Sequence, residues 1–207
     1  MAKINSNFLF NSIAPFYGLL YKKQKKLFAE AIENAAEELD ILAYKTGLDV
    51  GCGTGALCSV LNEKGLSVTG IDSAEKMLGI ARNKKENKNI SFIKADILEG
   101  LPFDDNSFDI STASYVAHGL QEEERMYMYA EMSRVAKDRV IIHDYNEERS
   151  FLTTILEWLE GGDYFNFIKN AQREMIDCVT ELESCFSDVK VVNVDKGAAW
   201  HICKPNE

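Results

Sequence analysis

The sequence lacks the features that mark secreted, membrane-spanning and metal-stabilised proteins. No stretch approaches the roughly 18 consecutive apolar residues that cross a bilayer. Polar residues interrupt the first ten positions, so a signal peptide is not expected. The five cysteines are an odd number without a C-x-x-C pair, which disfavours a disulfide framework and a structural zinc site. These absences predict a cytoplasmic protein with no metal centre and no membrane partner.

Positive charge is also scarce. The 207 residues include 23 Lys and Arg against 33 Asp and Glu, a formal net charge of −10. Proteins that bind nucleic acid usually present a basic surface, because neutralising phosphates supplies much of their affinity. The two lysine clusters, at 22–26 and 84–88, are interpreted as solvated helix faces. We therefore expect a small-molecule substrate and no nucleic acid.

Strands and helices are predicted to alternate through the middle of the chain. Apolar periodicity indicates a leading helix at 23–39 and helices at 56–63, 74–83 and 121–136. Short apolar runs predict strands at 47–50, 66–71, 90–95, 108–113 and 139–144. Such alternation favours a parallel sheet with right-handed crossovers.

The last third of the chain has a different rhythm. Helices are predicted at 150–168, interrupted at Gly161-Gly162, and at 170–186. Two strands follow, at 189–194 and 198–203, separated by three residues. That spacing predicts a hairpin, so the sheet should end in an antiparallel pair.

Three glycines stand between the first strand and its helix, at Gly51, Gly53 and Gly55. Glycine lets backbone approach a ligand without an intervening Cβ. Asp72 closes the second strand and can accept the ribose hydroxyls of an adenosine; Asp96 closes the third and can reach the adenine amine. The alternative for each aspartate alone is a helix cap or a turn. Together the features predict an adenosine cofactor at the carboxyl ends of the strands.

The glycine spacing bears on which cofactor binds. A dinucleotide fingerprint is G-x-G-x-x-G, whereas here the third glycine comes one residue early. Asp49 precedes the loop, where a carboxylate repels a pyrophosphate but attracts an ammonium group. An NAD(P)-dependent oxidoreductase is therefore the less favoured alternative.

Residues 48–61 resemble motif I of the class I S-adenosylmethionine-dependent methyltransferases, in its D-x-G-C-G-T-G form. Residues 70–78 resemble the second motif, and residues 92–96 with 101–109 resemble the third. The last pattern is similar to that of methyltransferase type 11, the ubiquinone/menaquinone biosynthesis branch. The resemblance implies S-adenosylmethionine as cofactor and a small-molecule methyl acceptor.

The resemblance also implies a doubly wound, Rossmann-like α/β fold. Its mostly parallel seven-stranded sheet would end in an antiparallel strand and carry helices on both faces. We expect a single methyltransferase domain over residues 1–207. It would comprise an N-terminal helical cap (1–44), a cofactor-binding core (45–145), and acceptor-pocket helices with the terminal strand pair (146–207).

Cofactor contacts are assigned by position within the resemblance. The predicted set comprises Asp49, Gly51, Cys52, Gly53, Gly55 and Ser114 around the methionine part, Asp72 with the adjacent Ser73 at the ribose, Met77, Asp96 and Ile97 at the adenine, and Tyr17 and Tyr21, with Phe16, as an aromatic cover. Two members have competing interpretations. Cys52 is read as a small residue that the turn accommodates, not as a nucleophile, and Met77 also suits the core face of its helix.

A general base is needed only if the acceptor must lose a proton. His118, just beyond the fourth strand, is the predicted base, although a loop histidine can also serve only as a hydrogen-bonding partner. Asp144 and Tyr145 are second choices, and His143 is expected to pack into the sheet. The aromatic segment Leu152 to Ile168 is the predicted acceptor pocket.

Two further alternatives stay open. A nucleic-acid methyltransferase of the amino group is disfavoured, because Ser111 to Tyr115 carries no N/D-P-P-Y/F signature. A cofactor-binding protein without catalysis would keep the glycines and Asp72.

Overall fold

A computed structural model describes residues 6–146 and 181–206 of the chain. Four complete helices and seven strands lie within the described residues, with short 3-10 turns between them. The helices are α1 (Ser6–Asn34), α2 (Ala56–Glu63), α3 (Glu75–Arg82) and α4 (Glu122–Val135); the strands are β1 (Thr46–Val50), β2 (Ser67–Asp72), β3 (Ser91–Lys94), β4 (Phe108–Ser114), β5 (Ala136–Tyr145), β6 (Phe186–Asn193) and β7 (Ala198–Pro205).

The strands form one sheet in the order β3-β2-β1-β4-β5-β7-β6. Strands β1 to β5 pair in parallel, and β7 pairs antiparallel with both β5 and β6. The predicted parallel sheet with an antiparallel end is confirmed. The chain reverses its direction of winding between β1 and β4, and ligands of open α/β sheets bind at that point, outside the carboxyl ends of the strands.

Two buried clusters cover the two faces of the sheet. One contains side chains of α1 and α2 with Ile110, Ile141 and Trp200. The other contains side chains of α4 with Val140 and Ile142. Because β5 is covered on both faces, its centre is a continuous apolar run.

The leading helix differs most from the prediction. It begins at Ser6 and ends at Asn34, not at 23 and 39. Residues 8–21 are apolar in almost every direction, so they show no amphipathic period, and Pro15 and Gly18 look like helix breakers. Packing against α2 and α3 overrides both signals. Beyond Asn34 the chain continues as turns that still bury Ala35 and Leu39.

Two strands begin three residues earlier than predicted. β5 starts at Ala136, directly after α4, because Ala136 pairs with Phe108 across the sheet. β6 starts at Phe186, where a helix was predicted to end, because Phe186 pairs with Pro205. Of that helix, 181–185 is described and is helical; the rest of it, and the predicted acceptor segment Leu152 to Ile168, lie outside the described residues.

Candidate cofactor site and active site

The glycine loop follows β1 at the centre of the sheet. Gly51, Gly53 and Gly55 have φ of +69°, +53° and +77°, in the left-handed region that glycine adopts without a steric penalty. A Cβ on Gly51 would lie 2.6 Å from Cγ2 of Val116, whereas a Cβ on Gly53 would meet nothing within 4 Å. The loop is therefore packed at Gly51 and open at Gly53.

Asp72 ties this loop to the start of α3. Its Oδ2 accepts the N–H of Gly53 at 2.8 Å, and its Oδ1 accepts the N–H of Ala74 at 2.7 Å. Burial raises the pKa of Asp72, these two bonds lower it, and the nearby charge of Asp96 raises it; the net shift is upward. A carboxylate has about four acceptor positions, so the fixed side chain retains capacity for two sugar hydroxyls.

Asp96 caps a short helical turn, which is the alternative interpretation to its predicted adenine contact. Its Oδ1 accepts the N–H of Leu98 at 3.0 Å and begins the short 3-10 turn Ile97–Glu99. Ile97 is buried in the core on the α4 side of the sheet. Ser73 is half-buried and precedes Ala74, the N-cap of α3. The adenine and ribose contacts of these three residues stay predictions.

The predicted aromatic cover is divided between environments. Tyr21 is buried; its hydroxyl donates to Oδ1 of Asn87 at 3.3 Å, and burial raises its pKa to about 12. Tyr17 packs at the edge of a small cluster that contains Met77, and Phe16 lies exposed on the other side of α1. The structure therefore separates Phe16 from Tyr17 and Tyr21, which lie one helical turn apart on the inward side of α1, and their contact with the cofactor stays a prediction. Met77 is buried on the core face of its helix, which is the alternative interpretation to an adenine contact.

Asp49 lies beneath the loop and is almost fully enclosed. Its Oδ1 accepts the hydroxyl of Thr112 at 3.1 Å, and its Oδ2 accepts the thiol of Cys58 at 3.1 Å. Burial raises the pKa of Asp49 to about 7, and the charge of Asp72 raises it further, against the two hydrogen bonds. A neighbouring cation would lower this pKa, because it favours the ionised form.

Cys52 is buried within the loop, and burial raises the pKa of its thiol. The thiolate is the nucleophilic form of cysteine, so the environment of Cys52 suits a structural role.

The end of β4 lies on the other side of the glycine loop from Asp72, because β1 stands between β2 and β4 in the sheet. The loop, Asp72 and the end of β4 thus border one crevice at the carboxyl ends of the strands. The hydroxyl of Ser114 is buried and has no hydrogen-bond partner within residues 6–146 and 181–206. Tyr115 has φ of +57°, a conformation rare for a bulky side chain and costing about 1–3 kcal/mol. Its ring lies 4.8 Å from that of His143 and 4.9 Å from that of Tyr145, between centroids. Strain of this kind is concentrated at functional sites.

His118 and Asp144 form a hydrogen-bonded pair beyond these rings. Nδ1 of His118 lies 2.9 Å from Oδ1 of Asp144, and its backbone N–H donates to Oδ2 at 3.1 Å. The side chain of His118 is 12% exposed and that of Asp144 is 11% exposed. Burial raises the pKa of Asp144, but the charge of His118 and the hydrogen bonds outweigh it and leave the pKa below its ordinary value.

Sequence analysis predicts His118 as the general base and Asp144 as an alternative to it. It does not predict that the two side chains form a hydrogen-bonded pair. The predicted packing of His143 is confirmed: it is buried in the sheet, and burial lowers its pKa to about 4. Within the described residues, no three His, Cys, Asp or Glu side chains gather as metal ligands. None of the described helices is long and apolar enough to span a bilayer.

Comparison with known proteins agrees with this geometry. The family model described as a methyltransferase domain matches residues 48–139, which include the glycine loop, Asp72, Asp96 and His118. The chain is 37% identical over 112 residues to a demethylmenaquinone methyltransferase of Shouchella clausii, covering 51% of this chain and 46% of that protein. Residues 48–139 of this chain are a methyltransferase domain of the class I, S-adenosylmethionine-dependent kind.

Two further likenesses extend over most of the methyltransferase. An uncharacterized methyltransferase of Geobacillus sp. is 27% identical over 187 residues, 87% of this chain and 86% of that one. A crystal structure of a putative S-adenosylmethionine-dependent methyltransferase from Methanococcus maripaludis has a TM-score of 0.72 at 17% identity, covering 100% and 97% of the two chains; at that identity it shows the fold. The alignment with the demethylmenaquinone enzyme spans about half of its length. S-adenosylmethionine is the cofactor of this family, which replaces the NAD(P) alternative.

Proposed function

We propose that this methyltransferase transfers the methyl group of S-adenosylmethionine to a small organic acceptor that loses a proton. The observation that carries the proposal is the His118–Asp144 pair, two residues beyond Val116, whose side chain is packed on Gly51. An oriented imidazole beside the cofactor loop suits general-base catalysis. The named activity of the Shouchella clausii relative and the scarcity of positive charge support a small acceptor.

The residues of the crevice fit the cofactor. Asp72 would hold the ribose hydroxyls, and the open backbone at Gly53 would lie against the methionine part. Asp49 would ionise in response to the ammonium group, at a distance or through water, because Thr112 and Cys58 already occupy its oxygens. When bound, S-adenosylmethionine supplies an electrophilic methyl group on its sulfonium.

The chain's main contribution is then position. Holding acceptor and donor in line supplies up to about 7–11 kcal/mol of the barrier. Asp144 accepts the Nδ1–H of His118, which fixes the tautomer in which Nε2 takes up the acceptor's proton. Such a base contributes about 10²- to 10⁴-fold in rate. The ring of Tyr145 lies beside that of His118 and the ring of Tyr115 lies against Tyr145, so both would keep water from the methyl donor.

The first experiment is a transfer assay with labelled methyl donor and a panel of phenols, hydroquinones, amines and thiols. Label in a small product supports the proposal. Binding of S-adenosylmethionine without transfer to any acceptor would favour the non-catalytic alternative.

The second experiment tests the base with His118→Asn, which keeps a donor toward Asp144 but removes Nε2. We expect kcat to fall about 10²- to 10⁴-fold with cofactor affinity unchanged.

Asp144→Asn tests the positioning of that base. Loss of the carboxylate should lower the pKa of the base and shift the rising limb of the kcat–pH profile to lower pH. The groups that face Asp144 are His118, Tyr145, His143 and His201. A purely structural role would reduce stability but leave the profile in place, and an unchanged kcat in His118→Asn would refute the base.

A further inference from the structure

The outward face of α1 is unusually apolar for a solvent-facing helix. Phe8 is 72% exposed, Phe16 44%, Leu19 83% and Leu27 43%. The exposed positions recur every three or four residues, so they form one stripe along the helix. From the N-terminal end the apolar and basic part of the stripe reads Phe8, Ser12, Pro15, Phe16, Leu19, Lys22, Lys23, Lys26 and Leu27, and the exposed Glu30 and Glu33 follow it in the last turns of the helix.

The opposite face of α1 is apolar as well. Ala14, Tyr21, Phe28 and Ile32 are buried against the domain. The N-terminal half of the helix is thus apolar on both sides, and a helix that is hydrophobic all round is normally covered all round. We therefore expect a binding partner to cover the outward stripe.

Charge indicates which partner fits. Residues 1–29 contain five lysines and no Asp or Glu, Glu30 being the first acidic residue. The chain as a whole carries −10, so with +5 in this segment the remaining residues carry −15. Lys25 pairs with Glu63 and Lys26 with Glu30, while Lys22 and Lys23 are exposed beside the apolar residues.

We propose that α1 lies flat on an anionic lipid surface through this stripe. Helices that lie in a membrane interface bury Phe and Leu side chains about 5–10 Å below the headgroups and place Lys at the headgroups; here the other side of α1 packs on the domain. The acidic remainder of the domain would be repelled by the same surface, so charge also orients the protein with α1 toward the lipid. Sequence analysis predicted no membrane partner and solvated lysines; this surface departs from both expectations without requiring a membrane-spanning segment.

A second copy of the chain is the competing occupant. A symmetric dimer brings the same patch of both copies together. On this stripe the lysines of the two copies would face each other, and no acidic residue between Phe8 and Leu27 would neutralise them. An anionic bilayer satisfies both the apolar residues and the lysines.

The experiment is sedimentation of the full chain with vesicles of phosphatidylcholine alone or with about one third phosphatidylglycerol. We expect binding to the anionic vesicles, and weaker binding as salt rises from about 0.1 M to about 1 M, because the Debye length falls from about 10 Å to about 3 Å. The variants Leu19→Glu and Lys22→Glu/Lys23→Glu should each reduce the binding constant by about tenfold or more.

Two control variants make the same chemical changes elsewhere. Leu42→Glu alters another exposed leucine, and Lys196→Glu/Lys204→Glu another exposed lysine pair; both should bind like the unchanged protein. Circular dichroism of all four variants checks the fold, which is not at risk at positions this exposed. The proposal is overturned if anionic vesicles do not bind, if Leu19→Glu binds as well as Leu42→Glu, or if ultracentrifugation shows that Leu19→Glu dissociates a dimer.

Discussion

Replacing Asp49 by Asn should stabilise the fold and weaken cofactor binding. Burial raises the pKa of Asp49 from 3.8 to about 7. Between these two values the folded protein retains a proton that the unfolded chain has released, so the free energy of unfolding falls as pH rises. One pKa unit corresponds to about 1.4 kcal/mol, so the loss reaches about 4 kcal/mol above pH 7.

An amide in place of the Asp49 carboxyl would be neutral at every pH and would avoid this loss. The amide oxygen can accept the hydroxyl of Thr112, as Oδ1 of Asp49 does at 3.1 Å. We expect Asp49→Asn to be more stable than the unchanged protein by up to about 4 kcal/mol near pH 8, with the gap closing as pH falls toward 4. Urea unfolding across this pH range measures the gap. The same change removes the charge proposed to face the cofactor's ammonium group, so affinity for S-adenosylmethionine should fall at least about tenfold.

Asp109→Asn is the matched control, because its shift has the opposite sign. The backbone N–H of Lys45 holds the pKa of Asp109 below its ordinary value, against burial, with Thr46 and Lys137 contributing. Its contribution to stability is present above the unfolded pKa and lost as pH falls through the folded pKa. Asp109→Asn should therefore destabilise at neutral pH. The reasoning about Asp49 is refuted if Asp49→Asn is no more stable near pH 8, or if its stability gap does not change with pH.

Three further outcomes follow from the contacts described. Gly53→Ala and Gly65→Ala both place Cβ in open space at positive φ, so each should cost about 1 kcal/mol in thermal unfolding, but only Gly53→Ala should weaken cofactor binding in calorimetry. Cys52→Ala should retain cofactor affinity within a few-fold, and a large loss would contradict its structural role. Arg125→Met should cost about 1–3 kcal/mol by leaving the half-buried Glu181 carboxylate without this ion pair, and Arg125→Met/Glu181→Gln should recover part of this loss in urea unfolding.

The sequence was sufficient for the sheet and its helices wherever local and tertiary preferences agreed. The helix α2 has its predicted bounds because glycines precede it and its apolar face is regular. The helix α1 was shortened in prediction because residues 8–21 are apolar on both sides, and a period can be read only where polar residues interrupt it. Strand pairing moved the starts of β5 and β6, since such contacts join residues far apart in the chain.

The candidate site was predictable as a set of strand ends but not as a set of contacts. Asp72 ends its strand beside the glycine loop as predicted, but its carboxylate also accepts the N–H of Ala74 two residues on, and its ribose contact stays a prediction. No local pattern shows that Asp144 on β5 contacts His118, which follows the neighbouring strand β4, or that Thr112 and Cys58 enclose Asp49. The carboxylate of Asp96 accepts a backbone N–H two residues away. Sequence analysis gives this turn only as the alternative to an adenine contact, because aspartate is common in both places.

Every role assigned to these residues depends on the binding of S-adenosylmethionine in the crevice beside Asp72. Isothermal titration of the unchanged protein, Asp72→Ala and the control Asp195→Ala tests it directly; Asp195 also accepts a backbone N–H in a turn, that of Gly197, but lies in the β6–β7 hairpin. We predict one site per chain in the unchanged protein and in Asp195→Ala, and no measurable binding in a folded Asp72→Ala. No binding to the unchanged protein, or equal affinity in Asp72→Ala, would contradict the claim.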